Sequence, residues 1–520
     1  MNRAALLALA ALLLIPASKS SGSTEGPEGS RSVSFRAPPD EIRLSLRECI
    51  HLALNHNLDI EISRYQPWIH DQDLRGAFGT FDHVLYADAS AGRNRLAARD
   101  LFAGVPVLSS EDALFKTGVR RTIPAGVTYD LSYSVERDET NSSFAALDPF
   151  WQQSLGLSVT VPVLRGSGEE ANTTAIVLAR NARRISVSDF EKLLADTILE
   201  VQDAYWALVS AIEVKKFRDQ SLEVARRLFE ENKVREKRGV LAKVDVTEAE
   251  AGVASQVEGI LTAENAVQDA MDRLKRLVDP ALLRSDTQVL PLDAPGAAEG
   301  ELDERQAVEN GLREAMERRA EYRAIFTELE SRERELARDR NEALPKLNAL
   351  ASGSLLGGED DFSHANREMG SGDTYSWSLG VSLEIPLENR AAGSAVRRTE
   401  LDRRRLILRR RNLEDTILVE VREAAREIKT TERRIEATAR ARVLAKERFD
   451  GEESRRDLGL RTTFHVLDAR TKLTEAQSNE VRAKVDYASA WARYRRATGG
   501  LLAHYDILVD SNLAPRQAAR

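Results

Sequence analysis

One stretch of this chain occurs twice. Ser154-Leu155-Gly156-Leu157-Ser158-Val159-Thr160-Val161-Pro162 returns, little changed, as Ser378-Leu379-Gly380-Val381-Ser382-Leu383-Glu384-Ile385-Pro386. Further along, Gly239…Asp245-Val246…Ala249 is echoed by Gly459…His465-Val466…Ala469. The offsets are 386 − 162 = 224 and 459 − 239 = 220, so a long unit has been duplicated with small insertions and deletions. A repeat of this kind calls for a pseudo-symmetric architecture of two like halves. The halves are read as 42–279 and 305–499, with a linker at 280–304 that holds Pro291, Pro295 and several glycines and alanines.

Each half carries a long helical signal. Leu194, Ile198, Val201, Tyr205, Leu208 and Ile212 alternate spacings of four and three, and Ile417, Val421, Ala424, Ile428, Thr431 and Ile435 do the same. A period of about 3.5 residues marks a left-handed coiled-coil seam. Aromatic residues make up only 6% of the chain, and Ala, Glu, Arg and Leu dominate, as in long helices. No proline falls between Pro162 and Pro280 or between Pro386 and Pro515. Helices are predicted at 171–238 and 393–456; either would be about 100 Å long at 1.5 Å per residue. Gly239 and Gly459 break them, and return helices follow at 244–278 and 464–498. Each half is thus a long helical hairpin with a glycine turn at its tip.

Strand signals sit at the other end of each half. In 153–162, Leu155, Leu157, Val159 and Val161 fall on one side and Ser154, Gly156, Ser158 and Thr160 on the other; 375–386 alternates in the same way. Weaker matches precede them at 81–91 and 346–355. Pro162 and Pro386 mark the joints where strand gives way to helix, since proline donates no ladder hydrogen bond and tolerates a helix start. An extra hairpin at 115–136, turning at Pro124-Ala125-Gly126, belongs to the first half only. About four strands per chain, or six if the extra hairpin joins them, are too few to close a sheet, and open edges are not tolerated in lipid. A membrane β-barrel shared between chains meets both constraints.

Residues 1–20 fit a secretory signal peptide, with Asn2-Arg3, a short apolar run and small residues near Ser18. The Ser-, Gly- and Pro-rich stretch 21–41 reads as a mobile lead, and 500–520 as a C-terminal tail. Cys49, the one cysteine, cannot form an intrachain disulfide. Acidic and basic residues are nearly balanced, 83 against 75, which gives no support for nucleic-acid binding. The seven histidines have no metal-ligand spacing, and Arg165-Gly166-Ser167-Gly168 lacks the lysine of a phosphate loop. Nothing points to an enzyme, and no cofactor or metal is expected.

Together these residues resemble the TolC-like outer-membrane efflux proteins. The resemblance rests on Leu46-Arg47-Glu48…Leu52-Ala53-Leu54-Asn55-His56-Asn57-Leu58, on both strand–proline segments, and above all on Gly459-Leu460-Arg461-Thr462-Thr463-Phe464-His465-Val466-Leu467-Asp468-Ala469. It covers about Leu44 to Gly499. It implies an α+β fold in which a homotrimer closes one outer-membrane β-barrel, continued by a long periplasmic α-helical coiled-coil barrel. It further implies outer-membrane lipid around the barrel, and a periplasmic adaptor protein and inner-membrane pump as partners in efflux or type I secretion. By position, Asp245 and Arg461 match gate residues at the periplasmic entrance, and Asp468 matches an aspartate of the constriction. His465 stands where an aspartate is common and reduces the negative charge there. On spacing alone these four are ordinary solvated coiled-coil charges. A periplasmic coiled-coil adaptor, or less readily a secreted enzyme, would be the alternative; an adaptor would not need the paired strand–proline segments. The exported substrate leaves no mark on the sequence.

Overall fold

The computed structural model describes residues 41–97, 104–295 and 303–509. The expected signal peptide, all but the last residue of the lead, and 510–520 lie outside the described residues. In chain order the main elements are β1 (Glu41–Leu44), α1 (Leu46–His56), α2 (Leu58–Phe78), β2 (Val84–Ala97), β3 (Val107–Thr122), β4 (Thr128–Thr140), β5 (Phe150–Pro162), α3 (Thr174–Lys237) and α4 (Lys243–Val278). After these come β6 (Gln288–Pro291), α5 (Glu304–Arg318), α6 (Ala320–Glu342), β7 (Lys346–Glu359), α7 (Phe362–Ser371), β8 (Tyr375–Glu384), α8 (Arg390–Asp457) and α9 (Thr463–Ala497).

The duplication is visible in the order of elements. Helices α1–α2 match α5–α6, the strands follow, and the hairpin α3–α4 matches α8–α9. The break between α1 and α2 falls at Asn57 and that between α5 and α6 at Arg319; both residues have φ −67° and ψ 125°. The seams hold the hairpins together: Val201, Tyr205 and Leu208 in α3 and Ile417 and Val421 in α8 are wholly shielded from solvent. At 64 and 68 residues, α3 and α8 are about 96 and 102 Å long at 1.5 Å per residue.

Six strands form one antiparallel sheet in the order β2-β3-β4-β5-β7-β8. Successive side chains on a strand point to opposite faces, so the register assigns every residue a side. One face carries Ala87 and Ala89 on β2, Phe115 and Val119 on β3, Leu131 and Tyr133 on β4, Leu155 and Leu157 on β5, Ala351 and Leu355 on β7, and Trp377 and Leu379 on β8. The other carries Asp88, Lys116, Ser132, Ser134, Ser154, Ser158, Ser352, Ser354, Ser376 and Ser378. Hydroxyls on this face pair across strands, Ser134 with Ser154, Ser352 with Ser378 and Ser354 with Ser376, each at 2.8 Å.

Helix α7 lies on the apolar face at the far end of β5 and β7. There the outward row turns polar at Gln153, which α7 buries completely. Gln153 accepts from the Tyr133 hydroxyl at 3.0 Å and donates to the Phe362 carbonyl at 2.8 Å, so the covered amide is satisfied. Gly357 permits the close approach; a Cβ there would stand 2.0 Å from the Ala365 carbonyl oxygen.

Several sequence expectations change. The sheet has six strands, because the 115–136 hairpin is the middle of longer strands β3 and β4. The first strand begins at Val84, not 81, since Phe81 is buried in the turn before it. The stretch 280–304 is more than a linker. Pro280–Leu283 forms one helical turn, and β6 pairs in parallel with β1, with Val289 buried in the core. Its prolines punctuate short elements instead of excluding them. Likewise Leu501–His504, read as tail, forms a turn of helix and buries Leu501. The β1–β6 pair, α1, α3 and α4 enclose the largest core, around Cys49, Ile50, Tyr205, Leu274 and Val289. Burial pushes the Cys49 thiol up to about 12, which leaves it protonated and inert at neutral pH.

Candidate functional site

The hairpin tips are the same device built twice. Both long helices end with a glycine in the left-handed region, Gly239 at φ 72° and Gly459 at φ 73°. The Gly239 and Val240 amides donate to the Glu236 and Arg235 carbonyls at 2.8 and 3.0 Å. The Gly459 and Leu460 amides donate to Arg456 and Arg455, both at 2.9 Å. This is a Schellman cap, which satisfies the last carbonyls of a helix and needs a residue without Cβ strain at its turning point. Asp245 and His465 then occupy the same place, 465 − 245 = 220, in the first turns of α4 and α9.

The four sequence-predicted gate residues do not come together within one chain. Arg461 lies 3.5 Å from Glu452 of its own hairpin, not beside Asp245. Asp468 is held by Arg448 at 3.2 Å and Lys472 at 2.9 Å, again on α8 and α9. His465 Nδ1 stands 3.2 Å from the Thr462 hydroxyl. The Asp245 carboxylate has no ion pair among the described residues, and its backbone carbonyl accepts from Asn232 at 3.3 Å. Arg448, Arg461 and Lys472 are each about half exposed, a setting in which such a pair is worth about 0–1 kcal/mol, while Glu452 is largely covered. Pro162 closes β5 and Pro386 follows β8 by two residues. In the ladder Pro162 lies opposite Asn348, which lies opposite Ser382, so Pro386 is four residues further along its strand.

What joins the two hairpins was not singled out in the sequence. Asn232 on α3 is buried between them. Its amide donates to the Thr463 hydroxyl at 2.9 Å, at the start of α9, while also reaching the Asp245 carbonyl at the start of α4. One side chain thus ties both return helices to the tip of α3. Arg456 is buried against Glu231 at 2.8 Å and Asp457 at 2.5 Å; burial disfavours its charge, but the two carboxylates outweigh this and hold it ionised. Deeper in, Arg470 donates to the Ser221 hydroxyl at 3.1 Å, with its guanidinium 5.6 Å from the centre of the Phe449 ring. Burial lowers its pKa, opposed in part by the nearby Glu453 carboxylate. The signal was present: Ser221, Ala225, Leu228 and Asn232 resume the four-three-four spacing, one residue out of phase with the stretch that ends at Ile212, and polar residues at seam positions specify register.

The chain matches the model of the family described as outer membrane efflux protein over residues 127–278 and 311–500. It is 25% identical over 441 residues to the outer membrane protein TolC of Vibrio cholerae, covering 82% of this chain and 94% of that one. The TolC of Escherichia coli is 22% identical over 348 residues, 65% of this chain and 68% of its own. Among solved structures, the CmeC outer membrane channel of Campylobacter jejuni superposes with a TM-score of 0.65 at 17% identity, over 88% of this chain and 86% of that one. The V. cholerae outer membrane protein VceC gives 0.62 at 17% identity, over 88% and 96%.

Proposed function

This chain belongs to the outer membrane efflux protein family and is an outer-membrane efflux channel; on that premise we propose that it works as a homotrimeric exit duct for a pump in the inner membrane. One observation carries the reading. A sheet with one mainly apolar face and a serine-rich opposite face runs directly into helical hairpins about 100 Å long. The apolar face suits lipid and the polar face a water-filled pore. The hairpins have the length to cross a periplasm, and their exposed flanks near the tips offer a docking surface for a periplasmic adaptor protein.

Such a protein performs no covalent step; its work is to enclose a path and to gate it. Gly239 and Gly459 turn the chain at the periplasmic end, with Pro162 and Pro386 at the membrane end. Asp245, Arg461, His465 and Asp468 form the gate ring. Asp245, with no ion pair among the described residues of its own chain, is free to meet Arg461 of an adjacent hairpin, and pairs of such modest energy let a closed tip open. Residues 1–20 serve as the signal peptide that sends the chain out of the cytoplasm.

Cross-linking in living cells tests the partners. A reactive group placed at Lys233, exposed near the tip of α3, should capture an adaptor and through it an inner-membrane pump. Capture of neither, in cells where the channel supports efflux, would overturn the tripartite part of the proposal.

A further inference from the structure

The two repeats contribute unequally to the sheet. In the second, β7 pairs directly with β8; in the first, the equivalent strands β2 and β5 are held apart by β3 and β4. Without that hairpin each chain would bring four strands. We propose that the β3–β4 hairpin is an insert in the membrane wall itself, and that three chains close an 18-stranded barrel (3 × 6) by pairing β2 of one copy with β8 of the next. This rests on the trimeric reading above and deepens it by fixing what the wall is made of.

The register carries the hairpin into the wall. Leu131 on β4 lies opposite Val119 on β3 and Leu157 on β5, and its neighbour Ser132 lies opposite Gly118 and Gly156. No slip or bulge separates the insert from the strands beside it, so both faces pass through it unbroken. Its own residues impose the same orientation. Asp112, Lys116 and Glu136 share the serine face, and a charged group turned toward the lipid midplane costs roughly 2–4 kcal/mol. The opposite face carries Phe115, Val119, Leu131 and Val135 in its middle, with Glu111, Arg137 and Glu139 only toward its far end, a band of apolar side chains for which a flap standing free in water would have no use. The base of the hairpin is also fixed. The Gly168 amide, beyond the β5 joint, donates to the Ala125 carbonyl in the β3–β4 turn at 3.3 Å. A Cβ on Gly126 would lie 2.1 Å from the Gly166 carbonyl oxygen.

The edges determine the partner. Among the described residues the outer edges of β2 and β8 are unpaired, and each bare backbone group in lipid costs several kcal/mol. Six alternating strands leave β2 and β8 running in opposite directions, so they meet as antiparallel neighbours in successive copies. Adding two strands keeps that alternation, which is why a hairpin is tolerated here when a single strand would not be. Barrel diameter grows about linearly with strand number, so the pore is roughly 1.5-fold wider than one built from four strands per chain. The insert also brings charge to a lumen that β5, β7 and β8 line chiefly with serine and glycine.

Electron microscopy of the wild-type protein in lipid nanodiscs counts the strands directly, and 18 in a three-fold wall is the expected result. A trimer with a 12-stranded wall and the hairpin projecting outside it would overturn this inference and leave the trimer standing. Any other copy number would overturn the reading beneath it. Thiol labelling adds a second readout, with little background because Cys49 is fully buried. With a membrane-impermeant reagent, Ser132→Cys should label and Leu131→Cys should not; equal labelling of the two would place the hairpin outside the wall.

Discussion

At the scale of single residues, the tip is governed by hydrogen-bond satisfaction more than by charge. Asn232 is 2% exposed and touches the starts of both α4 and α9. Asn232→Ala would leave the buried Thr463 hydroxyl without this partner, at a cost of about 1–3 kcal/mol. The variant should unfold at lower denaturant in detergent, and protection from hydrogen exchange should fall first in residues 240–250 and 460–470. Arg461 behaves differently. Its contact with Glu452 is long, and the Arg461 side chain is itself nearly half exposed, so Arg461→Ala should leave the unfolding midpoint nearly unchanged. If it holds neighbouring hairpins in a closed tip, the same change should raise ion conductance in planar bilayers. Arg403→Ala is the control, since the Arg403 side chain is about as exposed as that of Arg461 and pairs with Glu333 at 3.0 Å. Equal conductance in both variants would mark Arg461 as solvated surface.

At the scale of elements, the helices are stapled by a charge network at the level of α5 and α6. Arg319 is buried between those helices and holds Glu321 and Glu420, both at 2.5 Å. Arg496 on α9 reaches Asp196 on α3 at 2.7 Å and Glu321 at 3.6 Å. Burial alone would raise the Glu321 carboxyl, but Arg319 and Arg496 outweigh it and hold the group below its ordinary 4.5. The sign follows from linkage. A carboxylate depressed in the folded state contributes stability that is present above its unfolded value and is lost as pH falls through the folded one. Stability should therefore hold from pH 7 to about 5 and decline below pH 4.5. Glu321→Gln should be less stable at pH 7 by roughly 1–3 kcal/mol and show a shallower acid limb. Unfolding midpoints measured from pH 7 to 3 check both; an unchanged limb would show that other carboxylates set the acid transition.

At the scale of the whole molecule, the sheet cannot stand alone. It presents an apolar face on one side and bare edges at β2 and β8, so a single chain in water would expose more apolar surface than a monomer tolerates. Detergent-extracted protein should have the mass of a trimer by light scattering after subtraction of the micelle. A monodisperse monomer without detergent would contradict the membrane barrel.

The sequence determined what is periodic. The seam spacing specified the long helices, the two glycines their turns, and the alternation at 154–161 and 378–385 the apolar and polar faces, because each depends on residues near one another in the chain. The duplication specified the pseudo-symmetry. Tertiary structure decided what depends on distant partners. Whether the 115–136 hairpin stood apart or joined the sheet turned on its register with β2 and β5, which no local signal encodes. Strand β6, inside an apparent linker, exists because β1 lies alongside it from more than two hundred residues away. Arg461 met Glu452, and Asn232 met Thr463, because helix packing set which side chains face one another, and single-chain spacing left that choice open.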